Sequence, residues 1–86
     1  MFLKEHMVTP ASEDFDRVKG TIAVRITELR KARGLSQETL ADEAEVHRTY
    51  VRMLEIVQGT PSLMVITRLA VALGVGVSDL MSGGSQ

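Results

Sequence analysis

Residues 36–57 read SQETLADEAEVHRTYVRMLEIV, and the fold turns on whether this stretch is one helix or two. Ser36 is a residue type that caps helix N-termini, because its hydroxyl accepts an orphan backbone N–H. From it Leu40, Ala41 and Ala44 recur at the three- and four-residue spacing of one helical face. The pattern breaks around Glu45 and Val46 and restarts at His47, with Val51 and Leu54 on a new apolar side. Two helices joined by so short a turn must cross at a large angle. A small residue is wanted where they meet, and Ala41 fills that place, with Val46, Val51 and Leu54 as an apolar wedge between them.

Working outward, SEDFDRVKGTIAVRITELRKARG (residues 12–34) places Phe15, Val18, Ile22, Ile26 and Leu29 on one helical face. Ser12 can cap this helix and Gly34 can end it in a left-handed conformation. Gly20 costs roughly 1 kcal/mol against Ala inside a helix, so a start near Thr21 competes with the start at Ser12. Downstream, TPSLMVITRLAVALG (residues 60–74) offers Thr60 or Ser62 as cap, Leu63, Ile66, Leu69, Ala70 and Leu73 as the inner face, and Gly74 as the stop. VSDLM (residues 77–81) forms a last turn capped by Ser78. The spacing thus predicts an all-α fold of five helices in one compact domain over residues 12–81, with no strand or repeat. Residues 1–11, where Pro10 opposes a helix, and 82–86 are expected to be flexible ends.

Composition narrows the function. An 86-residue chain can build one small core, and with aromatics at only 3% that core must come from Leu, Ile, Val, Ala and Met. The absence of Cys removes disulfide frameworks and thiolate metal sites. No run reaches the roughly 18 apolar residues that span a bilayer, and Lys4, Glu5 and His6 interrupt what would be a signal-peptide core. A cytoplasmic protein without membrane contact is expected. A formal net charge of −1 gives no global attraction to nucleic acid, so any such binding must use a local basic face.

That face lies on the third helix. Advancing about 100° per residue puts Arg48, Thr49, Arg52, Met53 and Ile56 on an outward arc, with Tyr50, Val51, Leu54 and Val57 inward or at its edges. Arg can bridge O6 and N7 of guanine, and Thr can offer a hydroxyl to a base or a methyl to thymine. The run RITELRKARGLSQETLADEAEVHRTYVRMLE, followed by TPSL and LAVALGVGVSDL, resembles the phage-repressor-type (XRE-like) helix-turn-helix family over roughly residues 21–81. HRTYV in particular is similar to the controller proteins of restriction-modification systems.

The resemblance implies a lambda-repressor-like DNA-binding domain, with the helix-turn-helix at about residues 36–57 and a recognition helix at 48–57. It implies a transcriptional regulator that binds a palindromic operator in double-stranded DNA as a homodimer. Arg48, Thr49 and Arg52 match positions that reach base edges, Met53 lies on the same arc, and Tyr50 touches a base or phosphate from the rim. Gln37 matches a phosphate-binding position at a helix N-terminus. Arg30 and Glu55 match an interior ion pair, and Val75, Val77, Leu80 and Met81 are candidates for a dimer interface.

The chain departs from the family at four places. Glu45 stands where the turn usually has Gly, His47 where a Ser, Thr or Asp cap is usual, and Met53 and Ile56 where polar or basic residues are common. Val57 replaces a Gly that often ends the helix, so the third helix is expected to run on to Gln58 with Gly59 as its stop. With no charge on the later part of the arc, binding is expected to be less salt-sensitive than is usual for the fold. Asp42, Glu43 and Glu45 form an acidic cluster read as a solvated face. Two other functions fit the same pattern: the antitoxin of a toxin-antitoxin pair, and a degenerate module that binds protein instead of DNA. No Ser-His-Asp or Cys-His constellation, phosphate-cradling glycine loop or metal-ligand spacing is present, so neither an enzyme nor a cofactor, metal or small-molecule ligand is expected.

Overall fold

The computed structural model describes residues 10–82, which form α1 (Pro10–Ala32), α2 (Gln37–Ala44), α3 (Arg48–Glu55), α4 (Leu63–Leu73) and α5 (Val77–Met81). No strand occurs among the described residues. Of the flexible ends expected at residues 1–11 and 82–86, residues 1–9 and 83–86 lie outside the described residues, whereas Pro10 and Ala11 belong to α1. α1 is the spine of the fold, with α3, α5 and part of α4 packed along it, while α2 packs between α3 and α4. The core is aliphatic. Ile26, Leu40, Val51, Leu69 and Leu80, one from each helix, are its largest fully buried side chains, and Ala41 and Ala44 are buried where α2 meets its neighbours. Among the described residues, every buried side-chain polar atom has a hydrogen-bond partner.

The helix starts follow the capping chemistry, with two corrections. Ser36 Oγ accepts the Thr39 N–H at 3.0 Å, and Ser62 Oγ accepts the Val65 N–H at 3.1 Å, so Ser62 and not Thr60 caps α4. The expected cap of α5, Ser78, lies inside that helix. Gly76 takes the N-cap position and its N–H donates to Asp79 Oδ2 at 3.0 Å, which also puts a carboxylate at the positive end of the helix. α1 begins at Pro10, before either expected start, and runs through Gly20 without interruption. Proline suits a first turn, whose N–H has no intrahelical acceptor, and packing of Val18, Ile22 and Ile26 against the core offsets the glycine.

Four helices end in the same way. Gly34, Glu45, Val57 and Gly74 all adopt left-handed φ values, of 68°, 59°, 59° and 77°. At each end the next residue's N–H reaches back over the last turn: Leu35 to Arg30 O, Val46 to Ala41 O, Gln58 to Met53 O and Val75 to Ala70 O, at 2.8–3.0 Å. This is the Schellman arrangement, which satisfies the last carbonyls and is usually clipped by an apolar residue just beyond the end. Leu35, Val46 and Val75 are such clips and pack against the core. The end of α3 departs from this on both counts, with a β-branched residue in the left-handed position and polar Gln58 after it.

The third helix is therefore shorter than its sequence pattern. It stops at Glu55, with Ile56 as C-cap, and does not continue through Val57 to Gln58. Leu63 is a further correction: it is 72% exposed, because it opens α4 and the buried face begins only at Val65 and Ile66. Phe15 is 44% exposed, since the first turns of α1 project past the core.

A left-handed conformation costs a residue with a Cβ roughly 1–2 kcal/mol, of which Gly recovers most at some cost in unfolded-chain entropy. Val57→Gly is expected to stabilise the domain by about 1 kcal/mol, read as a raised urea midpoint with an unchanged slope. An unchanged or lowered midpoint would show that the Val57 backbone is relaxed.

Candidate nucleic-acid interface

α3 has only eight residues, too few to be stable alone, so its pose depends on what holds its two ends. At the N-terminal end, His47 serves as cap despite its unusual type: Nδ1 accepts the Thr49 N–H at 3.1 Å. The preceding turn is pinned from α4, where Arg68 Nη1 donates to Glu45 O at 2.9 Å. At the other end, Glu55 takes two hydrogen bonds from Arg30, from Nε at 2.6 Å and Nη2 at 3.0 Å. Gln37 Nε2 donates to the same carboxylate at 2.9 Å, and Arg30 Nη1 donates to Leu35 O at 2.8 Å. One guanidinium thus joins α1, the turn before α2 and the end of α3, while Gln37 adds the start of α2.

This network is largely dry, with the Arg30 and Glu55 side chains 12% and 7% exposed. Burial pushes the Glu55 carboxyl up, but hydrogen bonds from Arg30, Gln37 and Thr27, together with the charge of Arg30, outweigh it and hold the group below the usual glutamate value. For Arg30, the hydrogen bond and charge of Glu55 prevail over burial and raise it further.

Above this base lies an open cleft bordered by Gln37 and Glu38 of α2 and by Arg48, Thr49 and Arg52 of α3. Arg48, Thr49 and Arg52 are exposed, and Tyr50 is exposed at the rim beside His47 and Met53. Met53 is only half-buried, and its methyl sits 3.2 Å from where a Cβ on Gly59 would stand. It therefore serves partly as packing against the loop after α3. Ile56 and Val57 are exposed beyond the helix, so Val57 does not fasten the helix to the core. Gln37 is turned toward Glu55, but its amide nitrogen has a second hydrogen, and its backbone N–H in the first turn of α2 has no intrahelical acceptor.

One residue of the cleft escapes a reading of the sequence. Glu38 Oε2 lies 3.4 Å from Arg48 Nη1, with both side chains well exposed. The signal is present in the register, since Glu38 follows Gln37 on the first turn of α2, but the pairing spans the turn and has no local signature. Among the candidates for a pairing surface, Leu80 is fully buried in its own core, Val75 and Val77 pack against that core, and only Met81 is exposed. Leu80 is corrected from interface to core. Among the described residues no cluster of His, Cys, Asp and Glu has the geometry of a metal site.

The profile of the HTH_3 (Helix-turn-helix) family matches residues 26–80. The chain belongs to this helix-turn-helix family. It is 38% identical over 61 residues to the immunity repressor protein of Bacillus phage phi105, covering 71% of this chain and 42% of that one. It is 37% identical over 59 residues to the HTH-type transcriptional regulator DdrOP3 of Deinococcus deserti, covering 69% of this chain and 46% of that one. The chain spans under half the length of these two regulators. Among solved structures, the restriction-modification controller protein C.AhdI from Aeromonas hydrophila superposes with a TM-score of 0.69 at 42% identity, over 72% of this chain and 94% of that one. Within this helix-turn-helix domain, α2 and α3 are the paired helices and the cleft lies on their common outer side.

Removing Glu55 strands the Arg30 guanidinium in a mostly buried site, so Glu55→Ala is expected to cost about 3 kcal/mol. Because the folded carboxyl sits below its unfolded value, the pair stabilises the fold fully above the usual glutamate range and loses that effect as pH falls through the folded value. Urea unfolding near neutral pH and at about pH 3 checks both points: the gap between wild type and Glu55→Ala should be large at the first and reduced at the second. An equal gap at both would remove the ion pair as its cause.

Proposed function

We propose that this chain is a sequence-specific DNA-binding transcriptional regulator of the cytoplasm that binds a palindromic operator as a homodimer, with α3 in the major groove. The observation that carries this reading is the cleft. Two exposed guanidiniums and a hydroxyl, from Arg48, Arg52 and Thr49, project from a short helix whose pose is fixed at both ends. The first turn of α2 stands beside them with free amide hydrogens. In this arrangement Gln37 and the start of α2 hold a phosphate, Arg48 and Arg52 read guanine edges, and Thr49 and Tyr50 contact a base or the backbone. The likeness to a phage repressor, a transcriptional regulator and a controller protein supports the same reading.

Glu38 does not oppose it strongly. An exposed pair of this kind contributes about 0–1 kcal/mol, so Arg48 leaves it at little cost when a base is offered. Two copies are required because a single module buries roughly 600–1,000 Å² on DNA, which is small for tight specific binding. No helix among the described residues is long and apolar enough to cross a membrane.

Selection from a random duplex pool is expected to return a palindrome with half-sites about one helical turn apart. On that site Arg48→Ala should cost about 1–3 kcal/mol, with a shallow decline of affinity with salt because few cations face the backbone. Binding that stays weak at low salt and ignores loss of both Arg48 and Arg52 would refute the proposal in favour of a protein-interaction module.

A further inference from the structure

α3 carries a second hollow beside the basic cleft. His47, Thr49, Tyr50 and Met53 line it, and none of the four is a Lys, Arg, Asp or Glu. With an advance of about 100° per residue, Arg52 stands about 40° from Arg48 around the helix axis, whereas Thr49, Met53 and Tyr50 stand about 100°, 140° and 200° from it. The guanidiniums and the less polar side chains thus occupy adjoining sectors of one exposed arc, and His47 and Thr49 border both hollows. The walls are held in place. His47 Nδ1 accepts the Thr49 N–H at 3.1 Å, which ties the imidazole to the first turn. Met53 is half-buried and its methyl leans on the loop at Gly59, so the thioether is pinned while the side chain still borders the hollow.

We infer that this hollow takes the C5-methyl of a thymine, so that Tyr50 and Met53 select a T·A pair close to the bases that Arg48 and Arg52 read. This rests on the DNA-binding reading proposed above and adds to it a second kind of base contact. Of the groups that base pairs present in the major groove, the thymine methyl is the apolar one, and the others are hydrogen-bond donors or acceptors. A wall of thioether and aromatic ring set against cytosine N4 or guanine O6 would strip water from that atom and return no hydrogen bond, which disfavours a G·C pair there. A methyl set against the same wall leaves nothing unsatisfied, and the polarizable side chain of Met adapts to its shape.

Spacing limits where that pair can lie. Side chains one helical turn apart are separated by about 5.4 Å along the axis, and base pairs stack about 3.4 Å apart. The thymine is therefore within about two steps of the pair that Arg48 and Arg52 engage. The hollow also gives Met53 a role on DNA at a position where polar or basic residues are common in the family, since a methionine reads a methyl and not a phosphate.

The test uses the full chain and the duplex selected from the random pool. Each thymine of one half-site is replaced in turn by deoxyuridine, which keeps the base pair and the O4 acceptor and lacks only the methyl. Fluorescence anisotropy then gives the affinity of wild type, Met53→Ala, Tyr50→Ala and Arg48→Ala for each duplex. The expected result is a position at which uracil weakens wild-type binding about three- to fivefold, the effect of one methyl withdrawn from water. At that position Met53→Ala and Tyr50→Ala should each shrink the loss to under about twofold, whereas Arg48→Ala should weaken both duplexes alike and leave their ratio unchanged. Tyr50 is 50% exposed, so Tyr50→Ala should fold even if Met53→Ala loosens the loop after α3. A uracil loss that keeps its full size in both variants would overturn the inference, because Tyr50 and Met53 would then be structural only. A wild type indifferent to uracil at every thymine would overturn it as well, and in either case the DNA-binding reading stands. Binding that ignores the loss of both Arg48 and Arg52 would refute that reading and the inference with it.

Discussion

The ion pair between Arg30 and Glu55 is the constraint on which the arrangement of the other parts depends. α3 is two turns long, and a free helix of that length is unstable in water. Its direction is set where its last residue meets a side chain from the spine of the fold. Because Arg30 also holds the Leu35 carbonyl, and Glu55 also receives Gln37, the two helices of the motif are referred to one point. Shifting Glu55 would disturb the start of α2 together with the end of α3. Burial alone would not give this precision, since Val51 and Leu54 fix the depth of α3 and leave rotation about its axis to polar groups with directional bonds.

Backbone geometry at the two ends of α3 shows what this constraint works against. The glycines at the ends of α1 and α4 adopt left-handed conformations freely, whereas Glu45 and Val57, on either side of α3, adopt them with a Cβ. Local preference therefore opposes the observed path just before and just after the helix. Arg68 holding the Glu45 carbonyl and Arg30 holding Glu55 are long-range bonds that retain it. The motif is shaped by its neighbours more than by its own turn residues, so the pose of α3 should depend on the integrity of α1 and α4.

Much of this was legible in the sequence, and the residues that were not share a physical reason. Period and capping gave Ile22, Ile26, Leu40, Ala41, Ala44, Val51, Leu54, Leu69 and Leu73 as core, and Gly34 and Gly74 as stops, because these depend on local spacing and one residue's stereochemistry. The end of α3 was missed because steric rules argue against Val57 in a left-handed turn, and only tertiary bonds reveal why it is there. Leu63 continues the apolar period of α4 but lies beyond the neighbouring helices, and a period specifies a direction without saying whether anything stands there. Leu80 reads as a contact between copies for a similar reason, since an apolar residue late in the sequence looks the same whether it is covered by its own core or another's. At the candidate interface, rotation by 100° per residue was enough to expose Arg48, Thr49 and Arg52. The pairing of Arg48 with Glu38 and the leaning of Met53 over Gly59 are non-local and left no trace.

The same non-local contacts explain why a basic start and an apolar finish coexist on one short helix. The polar side chains occupy the first turns of α3, above the cleft, where the cap and the turn before it set the backbone. Met53, Leu54 and Glu55 occupy the last turn, and each is engaged inward: Met53 with the loop at Gly59, Leu54 with the core, Glu55 with Arg30. A last turn with no outward-facing cation beyond Arg52 is thus the price of anchoring. A basic residue at position 53 would add a cation at the far end of the face, but it would uncover Gly59 and loosen a loop that already begins with a strained valine. In this chain rigidity and charge compete for the same turn, and the structure resolves the competition toward rigidity.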